Sequence, residues 1–177
     1  GVIPTKAGIV VDLSPFRNII EINPEQKTAR VEAGARWSDI DIVAKKQGLS
    51  LMTYPSSKFS TVAGWIATGG YSINSFRYGH LSKQIQSMTV VTASGETKTL
   101  TPADQEFAYY ISTEGVFGII VEVTLTLRPT PPASFSHLLY FKNEYAAFDF
   151  IDRFVNSKEK ENISVNVIRF LDENHMS

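Results

Sequence analysis

Short apolar blocks separated by polar turns dominate residues 9–127, and this pattern predicts a sheet of short strands. The polar residues Asn23 to Lys27 join two of these strands into a hairpin, and Ser94-Gly95 joins two others. The last strand has the strongest signal because it is rich in β-branched residues. We predict strands over Ile9–Leu13, Asn18–Ile22, Thr28–Ala33, Ile85–Ala93, Glu96–Leu100 and Ile119–Leu127.

Apolar residues at helical spacing predict one helix between the first hairpin and residue 48. It runs from Trp37 to Gln47, and Gly48 is placed to end it. Ser38 followed by Asp41 predicts a capping box at its start. The residues expected on its buried face are Trp37, Ile40 and either Val43 or Ala44.

The rest of the chain divides at a proline-rich stretch. Before it, Thr101-Pro102 predicts the start of a second helix that runs to about Ser112. Residues Arg128 to Pro132 then break the last strand and predict a linker, since proline cannot continue a central strand. After the linker we expect a β-α-β unit too small to stand alone: strand Phe135–Phe141, helix Glu144–Ser157, a charged turn at Lys158–Asn162 and strand Ile163–Leu171.

Composition excludes several classes of protein. Seventeen basic residues against eighteen acidic ones give a net charge of −1, without the basic excess usual in nucleic-acid binders. The absence of cysteine excludes disulfides, thiolate catalysis and cysteine-ligated metals, and three scattered histidines predict no metal site. No apolar run is long enough to span a membrane, and no signal peptide is visible, so we expect a cytoplasmic protein. Because the first residue is glycine, we expect the natural chain to begin further upstream.

The stretch from Pro55 to Gly79 carries the clearest functional signal. It holds four of the eleven glycines among small and hydroxyl residues. Glycine lets a backbone approach a ligand closely, and runs of main-chain N–H groups bind anions. We therefore predict a loop that cradles the phosphate or ring system of a cofactor. Val62, Trp65 and Ile66 interleave with the glycines, which disfavours a plain surface loop.

Three blocks in this order and spacing resemble the FAD-binding domain of the vanillyl-alcohol oxidase superfamily: Val31–Ile40, Pro55–Gly79 and Thr113–Pro129. The resemblance covers Gly8 to about Pro132 and is nearest to the FAD-linked glycolate and D-lactate dehydrogenases and to the alkyl-dihydroxyacetone-phosphate synthases. It implies an α+β fold, with a mainly antiparallel sheet flanked by helices, followed by the first β-α-β of a cap domain.

The resemblance also implies which residues hold FAD. The loop passes along the flavin and the diphosphate, the following turn contacts the ribityl and ring region, and the third block lies by the adenosine and flavin, mostly through its main chain. Glu114 either bonds a cofactor hydroxyl or caps the turn before Gly115. The implied positions are Pro55, Ser56, Ser57, Ser60, Thr61, Val62, Gly64, Thr68, Gly69, Gly70, Tyr71, Glu114, Gly115, Gly118, Ile119 and Ile120.

The chain departs from the family pattern in two ways. Ala63 and Ser72 stand where members usually have glycine, although both are small enough to permit binding. The family also has an N-terminal lobe with a pyrophosphate loop. We therefore expect residues 1–132 to be an FAD-binding domain without that lobe and residues 133–177 to begin a substrate domain. The chain alone is expected to hold FAD weakly or not at all.

The implied function is an FAD-dependent oxidation of a small 2-hydroxy acid such as glycolate or D-lactate. Hydride would pass to flavin N5, and the electrons to oxygen, a quinone or a partner protein. The alternatives are an alkyl-glycerone-phosphate synthase-like transferase and a non-catalytic binding module, and homo-oligomer formation stays open. We assign no catalytic residue to this chain, since a lone loop histidine such as His80 is more often structural.

Overall fold

The computed structural model describes residues 7–157 and 165–171. Within them, every strand pairing is antiparallel. The strands are β1 Ile19–Asn23, β2 Thr28–Glu32, β3 Leu49–Leu51, β4 Ile85–Thr92, β5 Thr97–Leu100 and β6 Gly118–Pro129. The helices are α1 Trp37–Lys46, α2 Val62–Thr68, α3 Ser75–Tyr78 and α4 Glu144–Asn156, with 3-10 helices at Leu81–Gln84 and Gln105–Tyr110.

Strand β6 is the centre of the sheet. The strand order is β1-β2-β6-β4-β5, and β3 also pairs with β6. One edge of β6 pairs with β4. Along its other edge β2 pairs with the middle of β6, and β3 pairs with the carboxyl end of β6. The antiparallel sheet flanked by helices therefore agrees with the fold class expected from the sequence.

One face of this sheet forms the core. On β2 the side chains alternate, so Ala29 and Val31 are buried whereas Arg30 is exposed and pairs with Glu122 on the open face (Nε to Oε1, 2.6 Å). Helix α1 packs on β3, and α2 packs on β6. The buried helical side chains are Trp37, Ile40 and Ala44 from α1 and Val62, Ala63 and Ile66 from α2. The predicted apolar face of α1 is thus confirmed.

Three predicted strands are not formed in the described residues. Ile9–Leu13 has no strand partner, and the Ile9 side chain is 93% exposed. Phe135–Phe141 and residues 165–171 are also irregular, although the helix predicted between them forms, with Asn143 capping it (Oδ1 to Ala146 N, 3.0 Å). Hydrophobicity identifies residues that favour burial, but a strand also needs a neighbouring edge to bond. The predicted turn Lys158–Asn162 and residues 163–164 lie outside the described residues.

Two local predictions about helix starts are wrong. The segment after Thr101 forms a turn, because the Asp104 carboxylate accepts the main-chain N–H of Thr101 at 2.7 Å, and only the short 3-10 helix follows. The capping box of α1 is absent: its N-cap is Arg36, without a side-chain bond. Asp41 is occupied elsewhere, since its Oδ2 lies 2.7 Å from Lys58 Nζ and 3.0 Å from Lys45 Nζ.

A buried amide fixes the ends of the glycine-rich stretch. The Gln84 side chain accepts the N–H of Thr53 (3.1 Å) and donates to its carbonyl (2.8 Å), as a neighbouring strand would. The Thr53 hydroxyl in turn donates to the Ile73 carbonyl (2.8 Å) and lies 2.9 Å from Ser75 Oγ. These bonds satisfy polar groups that are otherwise shut off from water.

The Asp41 carboxylate anchors the other half of that stretch. Lys58 reaches it from the loop before α2, and the Lys58 Nζ also lies 4.3 Å from the centre of the Tyr54 ring. Burial by itself raises the pKa of Asp41, but the hydrogen bonds and charges of Lys58 and Lys45 outweigh it and lower that pKa below its ordinary 3.8.

We expect Gln84→Met to lower the free energy of unfolding by about 2–5 kcal/mol, because it leaves the N–H and carbonyl of Thr53 buried without partners. Urea denaturation measures this. The control is Gln86→Met on the exposed side of β4, for which we expect less than about 0.5 kcal/mol. Equal losses in the two variants would contradict the role given to Gln84.

We expect Asp41→Asn to cost about 1–3 kcal/mol at neutral pH, since two lysines lose their carboxylate. Because the folded-state pKa of Asp41 is lowered, its stabilisation is complete above the ordinary pKa of 3.8 and is lost as the pH falls through the folded-state value. The difference in free energy of unfolding between Asp41→Asn and the parent chain should therefore become smaller as the pH falls. Asp39→Asn, at an exposed position of the same helix turn, is the control. If that difference stays constant down to low pH, the ionised Asp41 carboxylate is not the source of the stabilisation.

Candidate cofactor-binding site

Helix α2 is the frame of the site. Its first turn is fixed to the strand-to-helix connection by two main-chain bonds, from Val62 N–H to the Ala35 carbonyl (2.9 Å) and from Ala63 N–H to the Ala33 carbonyl (3.0 Å). Thr61 caps it, with Oγ1 accepting the Gly64 N–H at 3.3 Å. Seven residues span roughly 10 Å, so the helix sets the separation between the groups at its two ends.

The loop at the amino end presents main-chain N–H groups. No described acceptor bonds the N–H of Ser56, Ser57, Lys58 or Phe59. The Lys58 carbonyl accepts the Ser38 N–H at 2.8 Å, so this carbonyl faces α1. In a trans peptide the carbonyl and the N–H of the next residue point in opposite directions, so the Phe59 N–H points away from α1. The Thr61 N–H also points away from α1, because the preceding carbonyl, that of Ser60, accepts the Trp37 N–H. The arrangement suits an anion.

The outer face of α2 is smooth. Thr61, Gly64 and Thr68 lie at helical spacing, and Gly64 and Thr68 are exposed. The Thr68 hydroxyl bonds back to the Gly64 carbonyl at 3.1 Å, so it lies along the helix. A Cβ added at Gly64 would lie 2.8 Å from Thr61 Oγ1 and disturb the capping hydroxyl. A flat group can therefore approach this face.

At the carboxyl end the chain turns at Gly69, which has φ +72°. A Cβ there would lie 1.8 Å from the Ser112 Oγ. The turn and residues 112–114 are bonded together, since the Ser112 N–H donates to Ile66 (3.0 Å) and the Glu114 N–H to Ala67 (2.8 Å). The packing of the fold is by itself enough to require glycine at position 69.

The third block begins in a strained loop. Ser112 and Glu114 both have positive φ, at 61° and 55°, which non-glycine residues rarely adopt. Val116 and Phe117 are exposed, and the Phe117 ring stacks on Tyr109 with centroids 5.3 Å apart. Such strain in a loop beside a glycine turn is common at binding sites.

Most of the implied residues are exposed or partly buried, with exceptions. Ser56, Ser57, Thr68 and Tyr71 are exposed, and Tyr71 is 74% exposed. Val62 and Ile120 instead lie in the core, so neither side chain can touch a ligand. The remaining implied residues lie at the surface or partly buried, apart from Pro55, which is buried.

Sequence reasoning missed three contacts of this site. Lys58 ties the loop to Asp41, Ser112 packs on Gly69, and His80 accepts the Gly70 N–H at Nε2 (3.3 Å). The partners of each pair are 10 to 43 residues apart in sequence, and no local pattern joins them. For His80 the sequence predicts a structural role but does not reveal its partner.

The chemistry of the surface is compatible with binding a ligand. It offers amides and hydroxyls to an anion at one end and apolar rings at the other, and its lysine at position 58 is paired with Asp41. Within residues 7–157 and 165–171, no group of three or more His, Asp or Glu side chains could hold a metal, and no helix is long and apolar enough to cross a membrane.

Comparisons with known proteins show which chains this one resembles. The D-lactate dehydrogenase of Anaerostipes hadrus is 29% identical over 150 residues, which are 81% of this chain and 32% of that protein. The glycolate oxidase subunit GlcD of Escherichia coli K12 is 28% identical over 141 residues, 76% of this chain and 28% of that protein. The alkyldihydroxyacetonephosphate synthase of Trypanosoma brucei brucei is 32% identical over 128 residues, 70% of this chain and 21% of that protein.

The fold agrees as well. A solved alkyldihydroxyacetonephosphate synthase superposes with a TM-score of 0.61 at 28% identity, covering 67% of this chain and 23% of that one. The chain thus spans about a third or less of the length of these relatives. A family model described as an FAD binding domain matches residues 1–101, more than half of the chain. These matches confirm the resemblance inferred from the three sequence blocks, and the chain belongs to the FAD-binding domain family of the vanillyl-alcohol oxidase type.

Proposed function

We propose that the surface formed by the loop Pro55–Thr61, the outer face of α2, the Thr68–Tyr71 turn and the Glu114–Ile120 segment holds FAD, the cofactor of this family. The observation that carries the proposal is the set of main-chain N–H groups of residues 56–59, which find no acceptor among the described residues. A diphosphate is the part of FAD that requires such donors.

The residues present fit that cofactor. The amides and the hydroxyls of Ser56 and Ser57 neutralise a diphosphate without a basic loop. The smooth face at Gly64 leaves room for a flat ring system, and the exposed side chains of Tyr71, Val116 and Phe117 can shield it from water. The exposed Glu114 carboxylate is able to accept a hydrogen bond from a hydroxyl, as the resemblance implies.

We further propose that the protein oxidises a small 2-hydroxy acid, of which D-lactate and glycolate are examples. Support comes from the relatives named D-lactate dehydrogenase and glycolate oxidase subunit GlcD. FAD, when bound, supplies the acceptor for the hydride that leaves the carbon bearing the hydroxyl group. The residues of this chain bind and orient the cofactor. The imidazole of His80, whose two nitrogens contact Gly70 and Ser82, is not free to act as the base that takes the hydroxyl proton.

The second candidate function is a transferase that uses FAD without net oxidation, as the resemblance to the alkyl-glycerone-phosphate synthases implies. It is favoured by the 32% identity with a synthase and by the superposition on a solved one. The two functions differ in whether a 2-hydroxy acid reduces the flavin.

We expect Thr68→Trp to weaken FAD binding on the order of tenfold or more, because the indole would cover the smooth face of α2. Titration of the native-length protein with FAD, followed by quenching of flavin fluorescence, gives the dissociation constant. Ile42→Trp, on the exposed side of α1, adds the same bulk away from the site and should bind FAD like the parent chain. Equal affinity of the two variants would place the cofactor elsewhere.

We expect D-lactate or glycolate to bleach the flavin absorbance of the native-length protein when oxygen is absent. Propionate has no hydroxyl group to oxidise and is the control. Bleaching by a hydroxy acid supports the oxidase function. A flavin that stays oxidised with every hydroxy acid tried would reject it and favour the transferase.

A further inference from the structure

The imidazole of His80 lies between two main-chain N–H groups. Gly70 N lies 3.3 Å from Nε2, and Ser82 N lies 3.2 Å from Nδ1, each with the geometry of a donor. The Ser82 hydroxyl lies 3.0 Å from Nδ1 as well. The ring is partly buried, and the Tyr71 ring packs against it edge-on at 5.2 Å.

The ring can serve only one of these two amides. An uncharged imidazole has a hydrogen on one nitrogen and a lone pair on the other, and an imidazolium has no lone pair for either. Two donors therefore compete for one acceptor, and the tautomer decides which amide is bonded.

The Ser82 hydroxyl favours one tautomer. With the hydrogen on Nδ1, the ring donates to Ser82 Oγ and accepts the Gly70 N–H at Nε2, which makes two bonds and leaves only the Ser82 N–H unpaired. With the hydrogen on Nε2, the ring accepts the Ser82 N–H at Nδ1, but the Nε2 hydrogen faces the Gly70 N–H, and these two donors are left without an acceptor. The first tautomer satisfies more groups.

We propose that His80 is a positioning residue for the glycine turn. Its Nε2 holds the Gly70 N–H, and the Ser82 hydroxyl selects the tautomer that makes this bond. The bond fixes the Thr68–Tyr71 turn, and the contact with the Tyr71 ring sets the place of that exposed side chain. The consequence for FAD rests on the proposed function, because it requires that this turn lies against the cofactor.

Two substitutions separate the two nitrogens. The side-chain oxygen of Gln lies about as far from the backbone as Nε2 of histidine, whereas that of Asn lies about as far as Nδ1. His80→Gln should therefore keep the Gly70 bond, and His80→Asn should keep only the bond to the Ser82 N–H. If His80 only filled space, the Gln and Asn variants would affect the Gly70 amide equally.

The test is amide hydrogen exchange and ring nitrogen-15 spectroscopy on the full 177-residue chain, without FAD. We expect the His80 hydrogen on Nδ1. We expect the Gly70 amide to exchange roughly fivefold faster in His80→Asn and Ser82→Ala than in the parent chain, while His80→Gln stays near the parent. The amide of Val123 in β6 reports global stability and should not change. His137→Asn and Ser87→Ala are the matched controls outside this contact.

A hydrogen on Nε2 in the parent chain would overturn the proposal, and so would equal Gly70 exchange in the Gln and Asn variants. FAD affinity is measured separately, on the native-length protein. A roughly fivefold loss in His80→Asn and Ser82→Ala, but not in His80→Gln, supports the link to the cofactor. If the native-length protein binds no FAD while the exchange results hold, the proposed function fails and the positioning role stands.

Discussion

The pairing of β6 with three other strands is the constraint on which the rest of the structure depends. A twelve-residue strand supplies both edges with main-chain partners and places Val123, Leu125 and Leu127 under the helices. Its first residue, Gly118, admits no side chain, because a Cβ would lie 2.5 Å from the Val91 carbonyl. The strand that organises the core therefore also fixes where the strained loop of the site must end.

The site uses groups that the fold has already ordered. Helix α2 is held by bonds from its first N–H groups to the carbonyls of Ala33 and Ala35, so the loop before it is fixed without a ligand. Its N–H groups carry the partial positive charge that an anion needs, which is consistent with a chain whose net charge is only −1. Preordered donors avoid the entropy cost of arranging flexible lysines around a phosphate.

One short 3-10 helix, Leu81–Gln84, connects the core and the site. Gln84 at its end bonds Thr53 in the interior, and His80 just before it bonds Gly70 at the surface. Each side chain provides a hydrogen-bond partner for main-chain groups that no other main-chain group among the described residues bonds. Because this helix is the direct start of β4, a change in the sheet pairing would move the glycine turn.

The sequence by itself determined the hairpins, the central strand, the apolar face of α1 and the position of the glycine-rich stretch. These features depend on local periodicity and on turn residues, which act over a few positions. The three sequence blocks likewise sufficed to recognise the family, because their order and spacing carry the resemblance.

Only the tertiary structure decided the remaining features. Ile9–Leu13 is as apolar as a buried strand, yet whether a strand forms depends on an available edge, which no local pattern reveals. Asp41 has the spacing of a capping residue but bonds Lys58, which the fold brings to it from 17 residues away. The contacts of Gly69 with Ser112 and of Gly70 with His80 also join distant segments, because packing in three dimensions, and not sequence spacing, selects which polar groups meet.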